Sequence, residues 1–474
     1  MMMPECGEID IFYEPKATDG FHLGLMEDFG LPSEAEDPVL DDMIHVDTTA
    51  TGGILAGSNP RSVLFAVYRF LWENGCRWLH PGVDGDYVPI YTNVCMSNPQ
   101  IRAAIVREIA DYAQTHHNID YLHVWLSDGS KNHCECDECQ KMRPSDWYMV
   151  MMNELDEELT KRALDSRIVF ISYVDTMFGP EQVTIRNPQR FSLLYAPISR
   201  SYTASITEDS VIPEPLPYVR NAWKTPASAE ESFAQLKHWR NTWKGPAFSY
   251  EYHFWRHQFL DPGGITFARR VYEDVRSLKV MELDGYVEDG SQRSGFPNAF
   301  PVYIYAETLM NRECDFDAVL EDYFSHIYGK DWQTAYMLLK GISDAFDFAY
   351  MEGERSKDKR ISDFYDPDRV EQLSRIRELA ARERAAANKH LNMPTRPQTV
   401  SWRLLLRHAD FCQQLAQILL AKAVGHNYKA VELAKDFFCS FGKYEIEMER
   451  YYDHCLACRS VEHIIRRPQG IILD

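Results

Sequence analysis

Arg167-Ile168-Val169-Phe170-Ile171-Ser172-Tyr173-Val174 and Phe191-Ser192-Leu193-Leu194-Tyr195-Ala196 decide the fold of this chain. Both are nearly unbroken apolar runs. A strand with one wet face alternates apolar and polar residues, whereas runs like these are strands covered by helices on both faces. The same grammar extends outward in both directions. Upstream, Asn98-Pro99 opens a helix whose inner face reads Ile101, Ile105, Ile109 and Tyr112, and the strand Tyr121–Leu126 follows. Ser145 then caps a helix running to about residue 163, with Trp147, Met151, Leu155 and Leu159 on one stripe. Downstream come a helix over about 228–243, the strand Ala247–Tyr252, a helix over about 264–278 and the strand Val280–Val287. Strands alternating with helices at this spacing predict a parallel sheet or (β/α) barrel.

The flanks differ from this centre. Residues 1–89 read as a small α/β unit. Glu8–Tyr13 and Met43–Val46 are short strands, and residues 52–57 (Gly-Gly-Ile-Leu-Ala-Gly) make a tight approach to a helix. Asn59 suits the N-cap of that helix and Pro60 its first position. Val63, Val67 and Phe70, with Leu64, Tyr68 and Leu71, repeat at helical spacing. Gly75 ends the helix, and Cys76–Leu79 and the turn Pro81-Gly82 follow. Beyond residue 302 the chain is almost wholly helical, with Ala318–Tyr328, Asp331–Tyr350, Pro367–Lys389, Trp402–Val424 and Ala430–Tyr452 as helices. Glu352–Arg360 reads as a charged, solvated loop. The expected domains are therefore 1–89, a barrel over 90–301 and a helical domain over 302–474.

Composition narrows the function classes. The 474 residues carry a formal charge of −21, which counts against a nucleic-acid partner because phosphate binding needs a basic surface. No apolar run reaches the length of a membrane span, so no membrane partner is expected. The start, Met1-Met2-Met3-Pro4-Glu5-Cys6, has no basic and apolar leader pattern. The chain as it stands reads as cytoplasmic, unless its natural start is missing. Eleven cysteines in so long a chain are not a disulfide scaffold. The 10 tryptophans and 26 tyrosines serve either sugar platforms or core packing. Association of identical chains is left open.

Barrel enzymes carry their chemistry at the C-terminal ends of the strands. Those ends read Ser127-Asp128-Gly129, Tyr173-Val174-Asp175, Pro197-Ile198-Ser199-Arg200, Glu251-Tyr252-His253-Phe254-Trp255 and Glu288-Asp289-Gly290. All but the third carry a carboxylate. Glycoside hydrolysis needs two carboxyl groups across the scissile bond, and burial can raise one enough to serve as the acid. Asp128, Glu251 and Glu288 are the candidate catalytic residues, with Glu251 and Asp128 as the leading pair and Glu288 or Asp289 in reserve. Tyr173, Asp175, Arg200, Tyr252, His253, Trp255 and Asp289 are candidate substrate-binding residues. Each carboxylate has a plainer reading as a loop cap, and Glu251, set in an aromatic strand, as half of a buried salt bridge. Cys134-x-Cys136-x2-Cys139, with His133 adjacent, and His454-Cys455-x-x-Cys458 have metal-ligand character. Cys134, Cys136 and Cys139 are the candidate metal ligands, for a structural zinc. No Gly-rich phosphate loop or dinucleotide fingerprint occurs, and no organic cofactor is expected.

Asn59–Leu71 followed by Gly75-Cys76-Arg77-Trp78-Leu79-His80-Pro81-Gly82 resembles the domain that precedes the barrel in α-glucuronidases and β-hexosaminidases. Residues 96–300 resemble a family of bacterial polysaccharide-utilisation proteins, a domain of unknown function related to those barrels. The markers are Ser127-Asp128-Gly129, the Cys134/Cys136/Cys139 motif and Ser145-Asp146-x-Tyr148. Tyr303-x-x-Ala306 and Asp317–Gly329 resemble the helical tail of that group. The resemblance implies a TIM-like barrel and glycosidase chemistry. In the β-hexosaminidase relatives an Asp-Glu pair follows the fourth strand. Asp128 stands in the comparable place, but Gly129 replaces the Glu, which counts against a substrate-assisted mechanism. The α-glucuronidase relatives invert, using carboxylates spread over several strands, and Asp128, Glu251 and Glu288 fit that pattern better. A further departure is the short distance from Pro89 to Cys95-Met96-Ser97-Asn98-Pro99, where relatives place three barrel strands. Five strands remain, so a barrel lacking its first strands, with exposed edges, is expected. Those edges are covered by residues 1–89, by a partner chain, or not at all.

Three functions follow as alternatives. The first is a glycoside hydrolase acting on a complex polysaccharide or oligosaccharide. The second is a non-catalytic carbohydrate-binding protein on a degenerate barrel. The third is a zinc protein built on the cysteine cluster.

Overall fold

A computed structural model of the chain describes residues 20–33, 37, 41–49, 52–74, 76–78, 86–87 and 93–466. Glu8–Tyr13, Gly75 and Pro81-Gly82 lie outside them. The chain forms two compact units, Met1–Tyr91 and Thr92–Asp474.

In the first unit, β1 (Gly20–Leu25) runs parallel to β3 (Gly52–Gly57), and β2 (Ile44–Thr49) runs antiparallel to β3 on its other side. Helix α1 (Pro60–Glu73) packs on this sheet. Its N-terminus is built as expected. The Asn59 side chain accepts from Ser62 N at 3.0 Å, and Ser62 Oγ accepts from Asn59 N at 2.9 Å, a reciprocal capping box. Gly57 is required by the close approach: a Cβ there would lie 2.2 Å from Val63 N. Val63, Val67 and Phe70 are half-buried, but Leu64 and Tyr68 stay exposed. A short pair, β4 (Arg77–Trp78) with β5 (Asp86–Tyr87), completes the unit.

The second unit is a half-barrel carrying a helical tail. Among the described residues its strands are β6 (Tyr121–His123), β7 (Arg167–Ser172), β8 (Phe191–Tyr195), β9 (Ala247–Glu251) and β10 (Tyr286–Glu288). All are parallel, in the order β10-β9-β8-β7-β6. They are connected through α3 (Pro144–Lys161), α4 (Ala229–Thr242) and α5 (Ile265–Ser277), with α2 (Pro99–Thr115) preceding β6. On the outer face, Ile168, Phe170, Leu193 and Tyr195 pack with Leu155, Leu159 and Trp239 from α3 and α4. On the inner face, Val169, Ile171, Leu194 and Ala196 pack with Tyr173, Phe248 and Tyr250. Two buried faces explain the unbroken apolar runs.

Several boundaries shift, each for a local reason. Strand β10 pairs only from Tyr286, because residues 278–283 close the end of α5: Leu283 N donates to Leu278 O, and Met281 and Leu283 turn into the core. Helix α3 starts at Pro144, so its N-cap position is Arg143 rather than Ser145. Helix α2 presents Val106, Ala110 and Ala113 as its buried residues, together with Arg102, which pairs with Glu154 on α3 at 2.9 Å. Tyr112 is exposed, and Ile105 and Ile109 are half-buried. The expected helix over Asp331–Tyr350 divides at Asp347, whose φ is 61°.

The tail comprises α6 (Phe300–Met310), α7 (Phe316–Tyr328), α8 (Trp332–Phe346), α9 (Phe348–Met351), α10 (Val370–Lys389), α11 (Arg396–Ala423), α12 (Asn427–Gly442), α13 (Glu445–Met448) and α14 (His454–Ile465). It shares one compact unit and a continuous core with the half-barrel, Phe254, Phe267 and Val271 packing among its helices. Glu352, expected in a solvated loop, instead buries its carboxyl beside Arg256, and burial pushes its pKa up to about 7. Among the described residues no helix is long and apolar enough to cross a membrane.

Candidate active site

Side chains alternate across a strand, and this alternation sorts the strand-end residues into two layers. On β9, Phe248 and Tyr250 belong to the inner face, so Ser249 and Glu251 turn outward toward the helices. On β10, Tyr286 and Glu288 turn outward, and the Tyr286 hydroxyl donates to Asp274 O on α5 at 2.6 Å. Asp289 falls on the inner side.

The inner layer opens at the mouth. The Tyr173 hydroxyl donates to Asp128 Oδ1 at 3.0 Å. Burial, Asp128 and Asp289 together push the Tyr173 phenol far above its ordinary pKa. Burial also raises the Asp289 carboxyl. An aromatic row continues from there. Trp125 meets Tyr250 edge-on at 5.9 Å between centroids, Tyr250 meets Tyr252 at 5.4 Å, and Tyr252 meets Trp255 at 6.3 Å. Asp128 and Trp125 are exposed and Tyr252 is buried. Carboxyl groups beside aromatic faces can grip a sugar ring and exchange protons with it.

The outer layer is a closed ionic network. Glu251, 1% exposed, accepts from Arg200 Nε at 3.0 Å, the Tyr202 hydroxyl at 2.9 Å and the Ser249 hydroxyl at 2.7 Å. Arg200 also donates to Asp274 Oδ2 at 2.7 Å. His253 lies 2.9 Å from that same Asp274 oxygen through Nε2 and 2.7 Å from Glu288 Oε1 through Nδ1. Burial alone would lower the His253 pKa, but Glu288 and Asp274 hold it up at about 10. Burial likewise opposes the charge on Asp274, yet Arg200 and His253 keep its carboxyl well below the usual range. Three carboxylates thus face two cations. Glu288 takes up the imbalance, since burial outweighs His253 and raises its carboxyl.

Asp175 stands apart from both layers. It is buried, and it accepts from Lys131 N at 2.9 Å and from Trp223 Nε1 at 2.7 Å, which braces the loop after β6. Of the residues read from sequence, Asp128, Tyr173, Tyr252, Trp255 and Asp289 therefore sit at the mouth. Glu251, Glu288, Arg200 and His253 sit beneath it, and Asp175 beside it. Sequence reading missed Trp125, Tyr250 and Asp274. Asp274 has a detectable signal, an acid between Val271 and Val275 on the buried stripe of α5.

Cys134, Cys136 and Cys139 gather in the loop after β6, joined by Cys95 from the segment before α2. His133 points elsewhere, its Nε2 lying 3.9 Å from Asp175. Burial pushes the Cys134 thiol up to about 12, whereas the Cys139 N–H and the Ser97 hydroxyl hold Cys136 down to about 6. At the other sequence motif, Cys455 is exposed and Cys458 packs 3.4 Å from His454 Nε2. At the β6 edge a groove of about 500 Å3 is lined by Ile105, Ile109, Tyr112, Leu122, Val124 and Trp125, on the side where a complete barrel would continue.

The family profile for a domain of unknown function, DUF4838, matches residues 77–336. Among solved structures, a mutant O-GlcNAc hydrolase from Thermobaculum terrenum is similar over 79% of this chain and 77% of that chain, with 8% sequence identity and a TM-score of 0.32. No curated protein matches the chain.

Proposed function

The chain belongs to the DUF4838 family, and we propose that it is a glycoside hydrolase whose reaction runs at the mouth of the half-barrel. Asp289, its pKa raised by burial, is the proton donor. Asp128 is the second carboxyl group of the pair, and the row from Trp125 to Trp255 is the platform for the sugar. Glu251 and Glu288 are positioning residues that act through Arg200 and His253 to hold the ends of β9 and β10. The observation that carries this reading is Tyr173. One phenol donates to Asp128 at 3.0 Å and feels the charge of Asp289, so carboxyl groups from opposite edges of the sheet converge on it. A pair of carboxyl groups across the scissile bond is what acid-assisted glycoside cleavage requires.

A second reading, a carbohydrate-binding protein without turnover, is favoured by the incomplete sheet and by the locking of Glu251 beneath it. Incubating the purified chain with a panel of polysaccharides and oligosaccharides, and measuring new reducing ends, separates the two. The hydrolase reading expects release that Asp128→Asn and Asp289→Asn each suppress. Glycan binding on an array without reducing-end release supports the second reading and sinks the first.

A further inference from the structure

We infer that Cys95, Cys134, Cys136 and Cys139 bind one Zn2+ ion through four thiolates, and that this ion pins the strand-end loop bearing Asp128 to the start of α2. The four sulfurs all lie within 4.8 Å of one another. Cys95 Sγ is 3.7 Å from Cys139 Sγ and 3.8 Å from Cys136 Sγ. A disulfide needs about 2.05 Å between sulfurs, so these are not cystines. Four Zn–S arms of about 2.3 Å at tetrahedral angles place the sulfurs about 3.8 Å apart. The observed spacing is that of thiolates around a shared ion.

The surroundings are those of a built site. Ser97 N donates to Cys139 Sγ and Cys139 N donates to Cys136 Sγ, each at 3.4 Å. N–H···S bonds of this kind spread the negative charge that four thiolates around one dication leave behind. The loop is held from behind by Arg220, which donates to the carbonyl oxygens of Cys134 at 3.1 Å, Cys139 at 2.7 Å and Met142 at 2.6 Å. Asn221 adds a two-way bond with the backbone of His133. With all four positions taken by sulfur, no place remains for water or substrate, and the ion is structural rather than catalytic. Binding replaces with Zn2+ whatever protons these thiols still carry, with no change of oxidation state, so affinity falls as pH is lowered.

The position gives the ion its purpose. Strand β6 is an edge strand that pairs over only three residues, and the chain from Ser127 to Arg143 has no strand or helix longer than one turn. The Asp128 side chain itself is held by the Tyr173 hydroxyl, and the ion would add a fixed point to the loop that carries it. The Cys95 ligand ties the far end of the loop to the segment entering α2.

The test uses the full chain purified under reducing conditions with zinc supplied. Elemental analysis is expected to find one zinc per chain. After chelation and cobalt loading, thiolate-to-metal charge transfer should have the intensity of four sulfurs. Cys95→Ser is expected to weaken zinc at least tenfold in competition with a chromogenic chelator, while Cys439→Ser, at an exposed cysteine, leaves it unchanged. If Cys95→Ser does not fold, the wild-type cobalt spectrum still distinguishes four sulfurs from three. A folded chain with less than a tenth of an equivalent of zinc, cystines among these four residues, or a three-sulfur spectrum would each overturn the assignment.

Discussion

Arg200 Nε lies 3.0 Å from Glu251 Oε2, both side chains buried on the helix-facing side of the sheet. Glu251 closes β9, yet its carboxylate looks away from the mouth into a network with Asp274 and His253. Removing one member of a buried ion pair strands its partner in a medium that cannot solvate it, at a cost of about 3–5 kcal/mol. Arg200→Met, which leaves Glu251 and Asp274 without their shared cation, is therefore expected to lower stability by about that amount in urea unfolding. Glu251→Gln is expected to destabilise as well, but much less in the Arg200→Met background than alone, because the two share one interaction. Equal effects of Glu251→Gln in both backgrounds would show that the pair is not coupled.

The same network sets a pH dependence. The folded-state pKa of His253, about 10, lies above the ordinary histidine value of about 6.5. Its contribution is therefore complete below about pH 6.5 and is lost as pH rises through 10. Asp274, depressed by Arg200 and His253, contributes above the ordinary carboxylate range and loses that contribution as pH falls. Glu288 is the principal group raising His253. Glu288→Gln should move the alkaline loss of stability to lower pH, read as thermal midpoints between pH 6 and 10.5. Parallel curves for the wild type and the variant would mean that Glu288 does not hold the imidazolium.

The parallel sheet and the two-sided burial of its strands were legible because Ile168–Ile171 and Leu193–Ala196 have no polar alternation to misread. The two layers at the mouth were not. Glu251 and Tyr250 are neighbours in sequence, as are Glu288 and Asp289, and a single residue of register turns a side chain to the other face. The run Tyr252-His253-Phe254-Trp255, which continues past the end of β9 without alternation, hid that register. Cys95 was missed for a different reason. It lies far upstream of the Cys134 motif, and only the fold of α2 against the half-barrel brings the two together. The braced role of Asp175 depends on Trp223, in a loop without periodicity to read.

For Asp289 the expected signature is kinetic. A general acid must hold its proton, so the rate should fall as pH rises through a pKa that burial has raised above the normal aspartate range. General acid catalysis contributes roughly 10²–10⁴-fold, and Asp289→Asn should lose about that much on substrates with poor leaving groups. On dinitrophenyl glycosides, whose leaving group needs no proton, the loss should be much smaller. An equal loss on both substrates would remove Asp289 from the role of acid.

Tyr148 offers a test of how the mouth is held open. The β6–β7 ladder ends where Val124 N donates to Val169 O at 3.0 Å. Beyond that point the Tyr148 hydroxyl, fully buried on α3, stands between the strands. It donates to Val124 O and accepts from Ile171 N at 3.2 Å. A helix side chain thus replaces a rung of the ladder, and the strand ends carrying Asp128 and Tyr173 diverge around it. Tyr148→Phe preserves the ring and removes both bonds, leaving one buried carbonyl and one buried N–H without partners. Each such group costs about 1–3 kcal/mol, so the variant should be destabilised by at least that in urea unfolding. Hydrogen exchange at Ile171 N should accelerate relative to the interior of β8. If the strands instead close on each other, Ile171 regains a partner, its exchange stays slow, and the wedge role assigned to Tyr148 fails.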